Sequence, residues 1–414
     1  MDHVKGLRCM LCGAEYGVDE VLYVCPKHGD EGILDVVYDY ELIARRLTKE
    51  KLAADRDYSI WRYKPLLPVE PNSPVPPLRV GWTPLYRARR LEERLGLKNL
   101  WIKDDGREPT ASFKDRASAV GVVKALELGR QIITCASTGN AASSLAGLAA
   151  SVGLTTYIFV PQTAPQAKVA QLLIFGANVI MIEGTYDQAF DLCLAASKEY
   201  GWYSRNTAYN PYLSEGKKTA ALEICEQLGW KAPDRVFVAV GDGCIIGGLW
   251  KGFRDLLALG FIERMPKLVG VQAEGAAPLV RAWREGTEEI EPIVPHTLAD
   301  SIAVGVPRDR VKALRAVRET GGEFVAVDDG EILEAMRLLA REAAVFAEPA
   351  GAAGFAGLAK LVRQGRIDPE ERIVVLVTGN GLKDVDSAIK ATGRPHLIEP
   401  TLEALRRLLE RMGR

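Results

Sequence analysis

From residue 81 onward, short apolar runs alternate with longer stretches in which apolar positions recur every third or fourth residue. The short runs cover 100–102, 131–135, 156–160, 178–182, 235–240, 267–273 and 372–377. They are rich in Val and Ile and apolar on both faces, as parallel strands covered by helices are. The longer stretches, at 113–127, 141–152, 164–175, 186–199, 216–228, 247–259, 309–318, 329–344 and 350–363, read as helices. Several stop at a glycine (Gly129, Gly153, Gly176, Gly201, Gly229), which closes a helix without steric cost. This alternation predicts an α/β fold with parallel sheets. Ahead of it, 41–52 predicts a helix. Six prolines between Pro65 and Pro77 predict an extended connector, and 1–36, rich in Cys, Gly and Tyr, a small module. Residues 397–414 read as one amphipathic, Arg-rich helix.

The length of 414 residues allows two or three domains. A net charge of -1 offers neither a basic field for nucleic acid nor a polybasic membrane anchor. No apolar run reaches the roughly 20 residues of a bilayer span. Met1-Asp2-His3-Val4-Lys5-Gly6 has no apolar signal core, so a cytoplasmic protein with no membrane and no nucleic-acid partner is expected. Of seven cysteines, Cys135, Cys193, Cys225 and Cys244 stand among apolar or small neighbours and read as buried small hydrophobes. His3, His296 and His396 are isolated and read as surface residues.

The chemistry concentrates in four loops. Pro109-Thr110-Ala111-Ser112-Phe113-Lys114-Asp115-Arg116 places a lysine in a polar turn between a strand and a helix. A buried amine is disfavoured as a cation and becomes a nucleophile toward an aldehyde, here that of pyridoxal phosphate. Ser137-Thr138-Gly139-Asn140-Ala141 offers hydroxyls, an amide and helix N-terminal N–H groups, suited to a carboxylate. Asn140 can donate to the cofactor's phenolic oxygen; the alternative is that Ser137 and Thr138 only cap the helix. Gly241-Asp242-Gly243-Cys244-Ile245-Ile246-Gly247-Gly248 follows a strand, and its backbone can wrap an anion. A dinucleotide fingerprint fails there, because Ile246 stands where the third glycine belongs, so a monophosphate is the better ligand. Thr378-Gly379-Asn380-Gly381-Leu382-Lys383-Asp384 follows the last strand, and its hydroxyl can meet a pyridine nitrogen. Lys168, Lys217 and Lys218 lie in helical stretches and read as surface or packing residues.

In this order the loops resemble the fold type II family of pyridoxal-phosphate enzymes, the tryptophan synthase β-like group. Gly81-Trp82-Thr83-Pro84-Leu85 and Glu348-Pro349-Ala350-Gly351 are further markers, and the likeness runs from about Gly81 to His396. The resemblance implies two parallel-sheet, three-layer domains: a large one of 81–116 and 206–396, and a small one of 117–205. A module at 1–36, a connector at 37–80 and a helix at 397–414 flank them. It implies that Lys114 is the Schiff-base lysine and moves the substrate's protons. Asn140 would bond the phenolic oxygen and Thr378 face the ring nitrogen. The backbone of Gly241, Gly243, Cys244, Ile245 and Ile246 would hold the phosphate, and Ser137 and Thr138 the substrate carboxylate. Within the group the chain is most similar to the threonine synthases, through 109–116, 378–384 and Glu215-Gly216-Lys217-Lys218-Thr219. That implies a homodimeric carbon–oxygen lyase acting on a small amino acid, forming L-threonine and phosphate from O-phospho-L-homoserine and water. Ala111 replaces a usual glycine, and Leu213 stands where the family carries a phosphate-gripping arginine; Arg205 is the candidate to replace it. Leu298-Ala299-Asp300-Ser301-Ile302-Ala303-Val304 and Phe346-Ala347-Glu348-Pro349-Ala350-Gly351-Ala352-Ala353 lean instead toward the β-eliminating or β-replacing relatives: threonine, serine or diaminopropionate ammonia-lyases and cysteate synthase-like enzymes.

Cys9-Met10-Leu11-Cys12 and Cys25-Pro26-Lys27-His28 form two ligand pairs, three thiolates and an imidazole, a tetrahedral set suited to structural zinc. Such a site would stabilise a module too small to hold a core of its own. An empty, reduced set is the alternative, and a zinc-binding regulator is the reading of the chain that needs no enzyme.

Overall fold

The computed structural model describes the chain except residues 138, 163, 165 and 414 and the side chains of residues 166, 167 and 187. Among the described residues the strands run β1 (Val4–Cys9), β2 (Glu15–Tyr16), β3 (Leu34–Tyr38), β4 (Leu85–Arg87) and β5 (Asn99–Asp104). They continue β6 (Ile132–Ala136), β7 (Thr155–Pro161), β8 (Asn178–Ile182), β9 (Tyr203–Ser204), β10 (Arg235–Ala239), β11 (Lys267–Ala273), β12 (Glu323–Val327) and β13 (Arg372–Val377).

Two parallel sheets carry the fold. One has the order β8-β7-β6-β9. The other runs β12-β11-β10-β13-β5-β4, with only β4 antiparallel to its neighbour. Every strand read from the pattern is present. The short β4 and β9 and the polar-edged β12 were not foreseen: two or three residues leave no period, and Gly321, Gly322 and Glu323 mask the start of β12. The helical stretch 216–228 divides into Tyr212–Lys217 and Thr219–Gln227. Likewise 41–52 divides into Tyr40–Arg46 and Lys49–Ala54, because Thr48 accepts from Lys51 N–H and starts a second helix.

The central strands alternate between two apolar layers, as their two-residue period requires. Val236, Val238 and Leu376 face one core cluster, Phe237, Val375 and Val377 the other. Cys135, Cys193, Cys225 and Cys244 are buried.

The amino-terminal sheet, order β2-β1-β3, is antiparallel. The module has no separate core: Leu7, Leu34 and Val36 belong to the same cluster as Trp250 and Phe253. His3 is also not a surface residue. It is 2 % exposed, with Nε2 2.7 Å from the Leu67 carbonyl, because β1 and the connector close over it. The carboxy-terminal helix spans Leu402–Arg411 and leaves Leu402, Leu405 and Leu409 exposed. No helix among the described residues is long and apolar enough to cross a membrane.

Candidate active site

β5 and β13 run parallel, with Val377 opposite Asp104, so the loops beyond their carboxyl ends meet. Lys114 opens the helix Lys114–Glu127 in the first of these loops. Phe113 N–H donates to the Thr378 carbonyl at 2.9 Å, and Asn380 N–H donates to the Ala111 carbonyl at 3.1 Å. Two loops distant in sequence are thus stitched main chain to main chain. Ala111 sits at φ +63°, a left-handed conformation that costs a residue with a side chain about 1 kcal/mol. Burial, and then the Lys217 and Arg205 cations, push the Lys114 amine down to about 8.

Two helix N-termini lie open. The helix Asn140–Ala150 begins after Gly139, which supplies no side-chain cap. Ser137 does not cap its first turn; its Oγ accepts from Gly139 N–H at 3.2 Å. Thr138 lies outside the described residues. Asn140 Nδ2 donates to Glu348 Oε1 at 2.7 Å. The second helix, Cys244–Ala258, follows the glycine loop and again has no side-chain cap. Its first N–H groups, on Cys244, Ile245 and Ile246, have no helical acceptor. Gly243 is at φ +95°, and a Cβ there would stand 2.7 Å from Ala313 Cβ and 2.9 Å from the Asp309 carbonyl oxygen. A Cβ at Gly241 would meet Ile302 Cα at 3.1 Å. The Asp242 carboxylate accepts from Arg308 N–H at 3.3 Å. Burial pushes the Cys244 thiol up to about 11, so it stays protonated at neutral pH, with Thr207 Oγ1 donating to it at 3.1 Å. Asp309, buried beside this cradle, interacts with the Cys244 thiol, and burial raises the Asp309 pKa; the uncapped backbone N–H groups are donors that a phosphate monoester can use.

Several residues here were not assigned from sequence. Lys217 is not at the surface: it is 1 % exposed, and its Nζ donates to Thr207 Oγ1 at 3.4 Å. Its helix presses on the Cys244 helix so closely that a Cβ on Gly248 would lie 2.7 Å from Lys217 Cβ. Gly216 was the available signal, since a Cβ there would overlap the Arg116 carbonyl oxygen at 2.0 Å. Lys218 is a packing residue, paired with Glu215 at 2.5 Å and Asp255 at 2.6 Å. Lys168 pairs with Asp300. Glu348 joins the site through Asn140, and burial raises its pKa. Ser112 Oγ, two residues before Lys114, is buried without a partner. A cleft of about 280 Å³ opens beside these groups, lined by Ala111, Gly139, Asn140, Glu348, Asn380 and Lys383 among others.

Residues 77–379 match the family described as pyridoxal-phosphate dependent enzyme. This chain belongs to that family. A threonine synthase of Methanocaldococcus jannaschii is 44% identical over 407 residues, covering 98% of this chain and 99% of the relative. That of a Synechocystis species is 41% identical over 341 residues, 80% of this chain and 86% of the relative. Among solved structures, the processed form of threonine deaminase isoform 2 from Solanum lycopersicum aligns with a TM-score of 0.65 at 25% identity. It covers 86% of this chain and 93% of its own. Maize serine racemase shares the fold, with a TM-score of 0.64 at 21% identity, covering 80% and 94% of the two chains. The chain is a fold type II pyridoxal-phosphate enzyme related to threonine synthases, which sets aside the reading as a metal-binding regulator.

For a pyridoxal-phosphate enzyme the glycine cradle makes a direct prediction. Gly243→Ala forces a methyl against Ala313 and a side chain into left-handed backbone, so cofactor affinity falls about tenfold or more. Titration of apoenzyme with pyridoxal phosphate measures it; an unchanged dissociation constant places the phosphate elsewhere.

Proposed function

We propose that this enzyme converts O-phospho-L-homoserine and water to L-threonine and phosphate. The observation that carries the reading is 44% identity to a threonine synthase across 98% of the chain. A partly buried lysine between two uncapped helix N-termini supports it. In the net change the γ C–O bond breaks with its electron pair leaving on phosphate. Cβ gives up one hydrogen as a proton, its bonding pair ends in the new C–H bond of Cγ, which takes a proton to become methyl, and the water oxygen bonds Cβ as its own proton passes to solvent. The bound cofactor supplies the electron sink that stabilises carbanions next to it.

The chain's own groups hold and move the rest. The N–H groups of Cys244, Ile245 and Ile246, with the backbone of Gly241 and Gly243, hold the cofactor phosphate. Asn140 donates to the phenolic oxygen, its amide oriented by Glu348 Oε1. The Thr378 hydroxyl would meet the ring nitrogen and, being neutral, would leave it mostly unprotonated. Ser137, Thr138 and the N-terminus of the Asn140 helix take the substrate carboxylate. Lys114, with an amine lowered to about 8, accepts and returns protons near neutral pH at Cα and Cβ. We assign 81–116 and 206–396 to a large domain, supported by the sheet of β4, β5 and β10–β13, and 117–205 to a small one around β6–β9.

Parallel assays test the reaction. Phosphate and threonine should appear in step from phosphohomoserine, with little keto acid from threonine or serine. Keto-acid release without phosphate release would overturn the reading in favour of a β-eliminating enzyme.

We also propose a structural zinc on Cys9, Cys12 and Cys25, with His28 as the fourth ligand. The three sulfur atoms lie within 4.8 Å of one another, and none is in a disulfide. That spacing suits sulfurs about 2.3 Å from one metal. The His28 ring is not part of that cluster, although His28 N–H donates to the Cys25 carbonyl at 3.0 Å in a knuckle-like turn. Purified protein should carry one zinc per chain. Cys25→Ser should lose it and lower the melting temperature, because β1 and β3 share the main core. A metal-free wild type with the same melting temperature would remove the zinc.

A further inference from the structure

Arg205, just beyond β9, is 1 % exposed. Its backbone N–H donates to the Thr134 carbonyl at 2.8 Å, which fixes where the side chain starts. Its Nε donates to Ser118 Oγ at 3.1 Å. Its Nη2 is buried with no hydrogen-bond partner, and no carboxylate among the described residues pairs with the guanidinium. A guanidinium cannot shed its charge as a lysine can, so burial without a counter-ion is unfavourable until an anion reaches it.

The position of that cation is specific. Ser118 lies four residues after Lys114 on the helix Lys114–Glu127, so the two side chains share a face. One turn further on, a Cβ at Gly121 would lie 3.0 Å from Leu213 Cδ2 and 4.0 Å from Arg205 Cγ. Arg205 and Leu213 therefore cover the same part of the helix, beside Lys114. Lys217 stands on the other side, against the glycine loop, where Thr207 links it to Cys244. The Lys114 surroundings thus contain two buried cations on separate elements. The reaction proposed above brings in two phosphate groups, one on the cofactor and one on the substrate. The glycine loop and Lys217 serve the first. In phosphohomoserine the phosphorus is four bonds from Cα, a reach comparable to one helical turn. That is the offset between Lys114 and the Ser118–Arg205 contact.

We infer that Arg205 binds the phosphate of the phosphorylated amino-acid substrate and thereby sets the enzyme's preference for it, an assignment that rests on the reaction proposed above. A planar guanidinium held at Nε by Ser118 leaves its Nη atoms to grip phosphate oxygens. Both buried cations, after burial itself, also lower the Lys114 amine, as charges close to it should.

The experiment is steady-state kinetics of the holoenzyme with phosphohomoserine, with inorganic phosphate as the competing probe. Arg205→Gln should raise KM roughly 10- to 100-fold, the loss expected for a hydrogen bond to a charged group. Competitive inhibition by inorganic phosphate should disappear, while cofactor absorbance and cofactor affinity stay at wild-type values. Arg205→Lys should recover part of the KM, and Ser118→Ala should show a smaller rise. Unchanged KM and unchanged phosphate inhibition in Arg205→Gln would overturn the inference. So would loss of cofactor in place of a raised KM, which would assign Arg205 to the cofactor phosphate. If Arg205→Gln does not accumulate folded, Arg205→Lys decides on the same two readouts. A wild type that turns over no phosphohomoserine refutes the proposed reaction itself, a result distinct from a working wild type whose Arg205 variants are unaltered.

Discussion

Lys114→Ala is expected to lose turnover by at least about 10⁴-fold, the upper end of what a positioned acid–base contributes, and to lose the yellow absorbance of bound cofactor with it. The same amine both captures the aldehyde and moves the substrate's protons, so one substitution removes both functions. Reduction of the wild type with borohydride should trap the cofactor on the peptide that carries Lys114. Recovery on the Lys217 peptide would sink the assignment, and Lys217 is the informative rival because it is buried nearby. A pH dependence accompanies this. Only the neutral amine attacks an aldehyde, and burial with the Lys217 and Arg205 cations lowers the amine from 10.5 to about 8. Capture of pyridoxal phosphate by apoenzyme should therefore quicken as pH rises and level off above about 8. Stopped-flow absorbance measures it; a rate still climbing steeply above pH 10 would mean an amine in ordinary solvent.

Glu223→Ala is expected to be the most destabilising single substitution in the support of this site. Glu223 is fully buried between two cations. Arg116 Nη1 and Nη2 donate to its two oxygens at 2.5 and 2.8 Å, and Lys103 Nζ donates at 2.6 Å. Arg116 also holds Asp105 through Nε at 2.6 Å and Nη2 at 3.0 Å. The cluster ties β5, the Lys114 helix and the helix Thr219–Gln227 together, two residues from Lys114. Removing the carboxylate leaves Lys103 with no acid and Arg116 short of one, inside the protein. Breaking a buried pair from one side costs about 3–5 kcal/mol. The readouts are a lower melting temperature and weaker cofactor retention. A melting temperature within a degree or two of wild type would show that water or a shifted backbone replaces the carboxylate. The pH sense is also set. Burial alone would raise the Glu223 pKa, but Arg116 and Lys103 hold it down to about 2. Its contribution is complete above the unfolded carboxylate value of about 4.3 and is lost as pH falls toward 2.

The strands at 235–240, 267–273 and 372–377 were legible because each is an apolar run rich in Val between glycine or polar stops. Such a pattern reflects burial on both faces, whatever lies on them. Lys114 was legible because a lysine in a small polar turn between a strand and a helix is unusual in itself. The glycine loop was legible because Gly241 and Gly243 mark a backbone that no Cβ fits, as the contacts of Gly243 with Ala313 and Asp309 bear out. Arg116, Glu223 and Lys103 carried no such mark. Each is a charged residue of the kind that normally lies at the surface, and only the partners show that they are buried.

By itself the sequence determined the α/β class, the places where strands hand over to helices, and a lysine and a glycine loop at two such junctions. Only the tertiary structure decided that Lys217 and Arg205 close on Lys114, that Glu348 orients Asn140, and that the amino-terminal sheet shares the main core. The reason is range. Periodicity and turn chemistry act between residues a few positions apart and are written into the local string. Burial of a charge and the meeting of residues such as Asn140 and Glu348, 208 positions apart, exist only once the sheets have brought distant loops to one place.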